Sequence, residues 1–155
     1  MARKWALGDR IEYREIVLTQ PWIDQEAHFG WEFLDPIVFP PGTRPPFEVF
    51  ATKNVHTSAD FARQQGLKGT IAPGIMFVGF ASDMLVRELG TAWAEHGTLS
   101  VRFVHTAGPG DTLHTSGTVR AVNPDEQGIR VLFDILVVNQ HGEHIMEGEA
   151  EATVL

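Results

Sequence analysis

Apolar and polar positions alternate through the last third of the chain. Four such runs, Leu99–Thr106, Thr112–Asn123, Gly128–Asn139 and Glu143–Val154, are separated by Gly108-Pro109-Gly110, Asn123-Pro124-Asp125 and Gln140-His141-Gly142. A two-residue period bounded by glycine, proline and asparagine predicts strands joined by tight turns. In the last run Glu147, Glu149 and Glu151 fall on one face and Met146, Gly148, Ala150, Ala152 and Val154 on the other. Small residues on that inner face let a helix lie close to the sheet. The stretch Val131–Val138 is nearly all apolar, which predicts burial on both faces, as in a sheet shared with a partner.

Upstream the period changes. Gly74–Leu89 carries apolar residues around most of a helical circumference, with Ser82, Asp83, Arg87 and Glu88 late in the run, and Gly90 stops it. A helix of that kind is expected to be buried. Asp83 and Arg87, four apart, form an ion pair on its exposed end. Thr57–Gln65 reads as a short helix opened by Thr57 or Ser58 and closed by Gly66. Arg10–Leu18 reads as a strand, followed by a helix near Pro21 that Thr19 caps. One long helix plus at least four antiparallel strands is an α+β architecture, a sheet wrapped around a helix, and its simplest form is the hot-dog fold.

Composition narrows the function classes. The 155 residues fit one domain; 43% are hydrophobic and 21% charged, which excludes wholesale disorder. The sequence has no cysteine, so disulfides, thiolate nucleophiles and cysteine-held metals are excluded. A formal charge of −8 without a basic cluster argues against a nucleic-acid partner. No apolar run reaches the length of a membrane span, and no secretory segment precedes Gly8-Asp9, so a cytoplasmic protein is expected. Residues 34–47 hold five of the nine prolines together with Ile37, Val38, Phe39 and Phe47. That is too apolar for a solvated linker, and predicts an insertion or lid loop at about 34–50.

Several motifs occur in a specific order. Asn54-Val-His56-Thr-Ser58-x-Asp60-Phe61-Ala62-Arg63, Gly66 and Ile71-Ala72-Pro73-Gly74 are followed by Val101-Arg-Phe103, Gly110-Asp111-Thr112-Leu113, Val138-Asn139-Gln140-x-Gly142-Glu143 and Gly148-x-Ala150. Together they resemble the MaoC-like, (R)-specific enoyl-CoA hydratase family over about residues 50–155. The resemblance implies a single hot-dog domain, residues 1–155, with hydratase or dehydratase activity on an enoyl or 3-hydroxyacyl thioester. The family's site is an Asp five residues before a His, a backbone N–H at the glycine opening the central helix, and a serine within that helix. By position His56 matches the histidine, Gly74 the oxyanion glycine and Ser82 the serine. Ala51 stands where the aspartate is expected, with Lys53 and Asn54 in place of an Asn-Pro pair. If the proline-rich loop is an insertion within the motif, Asp35, before Pro36, is the displaced acid, with Glu32 a weaker candidate.

The chemistry suits those residues. Water addition to a conjugated thioester needs a base for the water, an acid for the α-carbon and donors for the oxygen that gains charge. Histidine titrates near working pH, and an N–H at a helix start favours negative charge. Asn54 would orient His56 or simply make a turn, and His56 itself could be a satisfied core histidine. No cofactor or metal is implied, because His141-x-x-His144 lacks a clear third ligand. The expected substrate is an acyl-CoA, with Lys53, Arg63, Lys68, Arg102 and Arg120 as a positive rim, and a homodimer or higher homo-oligomer is expected. Two other classes compete: a non-catalytic or half-catalytic subunit of a hetero-oligomeric dehydratase, for which Ala51 speaks, and a hot-dog thioesterase using a carboxylate such as Asp83.

Overall fold

A computed structural model describes residues 4–28, 54–126 and 128–155. The proline-rich loop, Glu32, Asp35, Ala51 and Lys53 lie outside the described residues. Two compact units are formed, one from Met1–Ile16, Gly74–Thr106 and Thr112–Leu155, the other from Val17–Pro73 and Ala107–Asp111. No helix among the described residues is long and apolar enough to cross a membrane.

The first unit is an antiparallel sheet with two helices. Its strands are β1 (Arg10–Glu12), β3 (Thr98–Phe103), β4 (Thr112–Asp125), β5 (Gly128–Asn139) and β6 (His144–Val154), in the order β1-β4-β5-β6-β3. A two-residue strand, β2 (Ile16–Val17), also pairs with β4. The expected strand Arg10–Leu18 is therefore broken in two. Between the halves the Tyr13 N–H still bonds Thr115 O (2.9 Å), but the Tyr13 ring stacks on Phe80. All four later strands begin within a residue of the expected start.

Residues 123–125 depart from expectation. They continue β4, with Pro124 opposite Ile129 and Asp125 opposite Gly128. A proline is tolerated there because β1 pairs with Ser116–Thr118, so among the described residues this end of β4 is paired on the β5 side alone. The run Val131–Val138 also differs. Val131, Phe133, Ile135 and Val137 are fully buried, whereas Leu132, Leu136 and Val138 are half-buried and Asp134 is exposed. Within the chain the strand has one fully buried face.

Helix α3 (Gly74–Leu89) has the bounds expected from the sequence and packs on β1, β3, β4 and β6, strands that include both sheet edges. Its buried stripe is Met76, Phe77, Phe80, Ala81, Met84 and Leu85. Ile75 and Val86 are 65% and 43% exposed, so the helix is buried along one stripe rather than all round. Gly90, at φ +58°, ends it and opens a six-residue helix, α4 (Thr91–His96), whose Trp93 is buried. The small residues Ala150 and Ala152 of β6 are buried, and both α3 and α4 pack on that strand.

The second unit contains α1 (Gln20–His28) and α2 (Ala59–Gln64). Pro21 sits in the first turn of α1, where its missing N–H costs nothing, and Thr19 Oγ1 accepts the Trp22 N–H at 3.4 Å. Ser58 caps α2 by accepting the Phe61 N–H (3.3 Å), and Gly66 follows at φ +84°. Residues 107–111 are tied to residue 18 by two bonds, Leu18 N–H to Asp111 O (2.8 Å) and Gly110 N–H to Leu18 O (2.9 Å).

Candidate active site

His56 lies in a turn that Asn54 builds. One oxygen, Asn54 Oδ1, accepts from the His56 N–H (2.8 Å), the Thr57 N–H (2.9 Å) and the Thr57 hydroxyl (3.1 Å). This is the side-chain mimicry of a backbone turn at which asparagine excels. The Asn54 carbonyl then takes the Ser58 N–H (3.1 Å), which leads directly into α2. The half-buried His56 is thereby presented from a short, internally bonded segment.

The imidazole is fixed from its far side. His56 Nδ1 lies 2.8 Å from the Ile71 carbonyl oxygen. A carbonyl can only accept, so Nδ1 carries the proton, and in the neutral ring Nε2 is then the basic nitrogen. Among the described residues no hydrogen bond engages Nε2. The Ile71 N–H donates to Val55 O (3.1 Å), so residue 71 holds both the backbone and the ring of the His56 segment. Ala72 N–H continues the anchoring onto Ala107 O (2.7 Å).

A third element reaches this site. The side-chain amide of Gln20, at the start of α1, donates from Nε2 to the His56 carbonyl (2.8 Å) and to Asp24 Oδ1 (2.7 Å). Its oxygen accepts the Thr70 hydroxyl (2.5 Å). Nothing in the sequence pattern marks Gln20, since two of its three partners lie 36 and 50 positions away.

The other expected residues belong to the first unit. Gly74 opens α3, whose first N–H groups have no intrahelical partner. A Cβ at Gly74 would lie 2.7 Å from the Phe103 ring, so glycine lets that ring close over the helix start. Ser82 Oγ accepts the Trp93 indole N–H (3.0 Å), which fastens α4 to α3. Asp83 pairs with Arg87 (2.9 Å), as its spacing predicts, and also accepts the Tyr13 hydroxyl (2.5 Å). That phenol, then Arg87, holds the Asp83 carboxyl below its ordinary range. Of the expected positive rim, Arg63 pairs with Asp60, Arg102 with Glu147 and Arg120 with Glu149. Those three charges are matched locally rather than left for an anion. His144 Nδ1 is engaged by Glu147 Oε1 (2.5 Å), and no group of three metal-ligating side chains occurs among the described residues.

Residues 48–139, more than half of the sequence, match the family model of the MaoC like domain. The chain belongs to the MaoC-like family. Its fold is the hot-dog fold, as solved structures show across nearly its whole length. The MaoC-like dehydratase from Rhodospirillum rubrum is 21% identical and superposes with a TM-score of 0.71, covering 97% of this chain and 93% of that one. The R-hydratase PhaJ1 from Pseudomonas aeruginosa is 23% identical with a TM-score of 0.64, covering 97% and 84%. The ChsH1-ChsH2 complex from Mycobacterium tuberculosis supplies a chain 17% identical with a TM-score of 0.70, covering 97% and 98%. No curated protein matches the sequence. The MaoC-like match takes in Asn54, His56, Gly74 and Ser82, and also Ala51.

Proposed function

We propose that this MaoC-like chain is a hydro-lyase acting on an enoyl or 3-hydroxyacyl thioester, with His56 as general base and acid. The observation that carries the reading is the tether of His56 Nδ1 to the Ile71 carbonyl, which makes Nε2 the proton-accepting nitrogen. In hydration Nε2 takes a proton from water as the water oxygen bonds to the β-carbon. The electron pair of the double bond moves to the α-carbon and thioester oxygen, and a second acid then protonates the α-carbon. The Gly74 N–H, at the positive end of a 16-residue helix, is the donor for the thioester oxygen. Asn54 orients the histidine segment, and Ser82 supports the central helix. Asp35 is the candidate for the second acid, carried on a lid at about 34–50 of one 155-residue domain. The substrate is an acyl-CoA, and the working form is a homodimer or larger homo-oligomer.

The test is hydration of crotonyl-CoA by purified protein, followed as loss of the enoyl-thioester absorbance. Wild-type turnover and a loss of at least about 100-fold in His56→Ala, with cooperative unfolding retained, is expected for removal of the general base. An unchanged rate in His56→Ala sinks the assignment. The same assay with a thiol reagent detects hydrolysis, the outcome a thioesterase would give. Asp83 is a poor candidate for that chemistry, because Tyr13 and Arg87 already occupy it.

A second reading rests on Ala51, which leaves the motif without its acid. In it the chain is the half-catalytic member of a pair, an arrangement in which the acid comes from a sister subunit. Hydration that appears only after a second MaoC-like chain is added would favour this reading over the first.

A further inference from the structure

We infer that Gln20 is a positioning residue for His56, an inference that rests on the reading of His56 as the base. The carboxamide joins three segments: the start of α1, the Asn54–Ser58 turn and Thr70. Its two donors go to the His56 carbonyl (2.8 Å) and Asp24 Oδ1 (2.7 Å), and its oxygen takes the Thr70 hydroxyl.

The direction of that amide is set by chemistry. An ionised carboxylate and a backbone carbonyl can only accept, so the NH2 end must face Asp24 and His56. The oxygen is left for Thr70, which supplies the matching hydroxyl. A flipped amide would set oxygen against two acceptors and lose both of those bonds, while the Thr70 hydroxyl, able to turn and accept, would not compensate for them. Asp24 thus acts as a key that holds Gln20 in one orientation.

The consequence falls on the imidazole. Thr70 is covalently next to Ile71, whose carbonyl accepts from His56 Nδ1. Gln20 therefore grips the His56 peptide with one end of its amide and the neighbour of the ring's acceptor with the other. Two segments must keep a fixed spacing if the Nδ1···O bond is to hold, and Gln20 sets that spacing. Loss of it releases the ring to the other tautomer, in which Nε2 carries the proton and cannot take one. Small misplacements of a catalytic group cost up to about 100-fold in rate, so an effect without substrate contact is physically reasonable.

Three full-length variants test this. Gln20→Glu keeps the shape but sets a carboxylate against Asp24 and the His56 carbonyl. Gln20→Ala removes the link, and Thr70→Val removes only the hydroxyl that meets the amide oxygen. The first readout is the tautomer and titration of His56 by NMR of histidine-labelled protein, which needs no turnover. Wild type is expected to hold Nδ1–H, and the Gln20 variants to lose that preference. The second is crotonyl-CoA hydration, where kcat should fall about tenfold, KM change less than about twofold, and the pH profile shift with the histidine. Gln20→Glu and Gln20→Ala that fold cooperatively yet keep the wild-type tautomer, titration and kcat overturn the inference. If neither folds, Thr70→Val decides on the same readouts. A wild type without hydratase activity removes the hydro-lyase reading, while the NMR comparison still decides whether Gln20 positions the ring.

Discussion

Asn139 closes the β5–β6 hairpin with a single side chain. It is 4% exposed, and its Oδ1 accepts the backbone N–H groups of His141 and Glu143, both at 3.0 Å. Its Nδ2 donates to Glu143 Oε2 at 2.6 Å. The stretch Val138-Asn139-Gln140-x-Gly142-Glu143, prominent in the sequence, is thus the chemistry of a turn rather than of a reaction. Asn139→Ala would hand two N–H groups and a carboxylate of the exposed turn back to water and remove the buried side chain that ordered them. A loss of about 1 kcal/mol is expected for such bonds, measured by urea unfolding. The candidate residues were less evenly legible. The Asn54 turn that carries His56 is local, so order and spacing could single it out as a candidate. The bonds of Gln20 could not be read, because they exist only once residues 36 and 50 positions away have come next to it.

At the scale of elements, the match between sequence and structure follows the length of each pattern. The long helix and the β5 strand were legible to the residue because each apolar run is long, 16 and 12 positions, and is bounded by turn residues such as Gly90 and Gly142. Helix α4 was missed; six residues hold less than two turns, and its burial depends on Trp93 reaching Ser82. Gly148 was read correctly as a position needing a small residue, but for the wrong neighbour. A Cβ there would lie 2.2 Å from the Ser100 carbonyl oxygen and 2.7 Å from a Val101 methyl, both on β3 rather than on the helix. Gly148 sits opposite Val101 in the β3–β6 ladder, and β3 is the last strand of the sheet. Gly148→Ala must therefore push β3 away from β6, its one partner among the described residues. The expected cost is about 1–3 kcal/mol, as for other overpacked sites. Amide exchange should locate the damage, with protection falling in Thr98–Phe103 and persisting in β4 and β5. Uniform loss across the sheet would show instead that β3 and the central strands open together.

Across the whole molecule, charge is the property that joins distant elements. Within a net balance of −8, specific pairs match charge locally: Asp83 with Arg87, Glu147 with Arg102 and Glu149 with Arg120. Each carboxyl is held below its ordinary range, Asp83 chiefly by the Tyr13 hydroxyl, Glu147 by His144 and then Arg102, Glu149 by Arg120. A carboxyl depressed in the folded state binds fewer protons there than in the unfolded chain. Its contribution is complete above the unfolded value of about 4 and is lost as pH falls through the lower folded value. The pairs are solvent-exposed, so salt should flatten this acid limb. Tyr13 is the reciprocal case. Its donation to Asp83, with burial and the Asp83 charge adding, raises the phenol above 10.0, against a weaker opposing effect of Arg14. The protonated phenol is the form the fold favours, so this contribution is present below the unfolded value of about 10 and disappears as pH rises through the folded one. The sequence contains one tyrosine, so a phenolate absorbance titration reports on Tyr13 alone. Wild type should titrate above the ordinary value and Asp83→Asn closer to it, because the amide carries no charge. The same variant should show a shallower fall in Tm between about pH 5 and 3, where an ordinary carboxyl near 4 would titrate. A Tyr13 midpoint that Asp83→Asn does not move would show that the Tyr13–Asp83 bond is not held in solution, leaving the start of the chain joined to the central helix by packing alone.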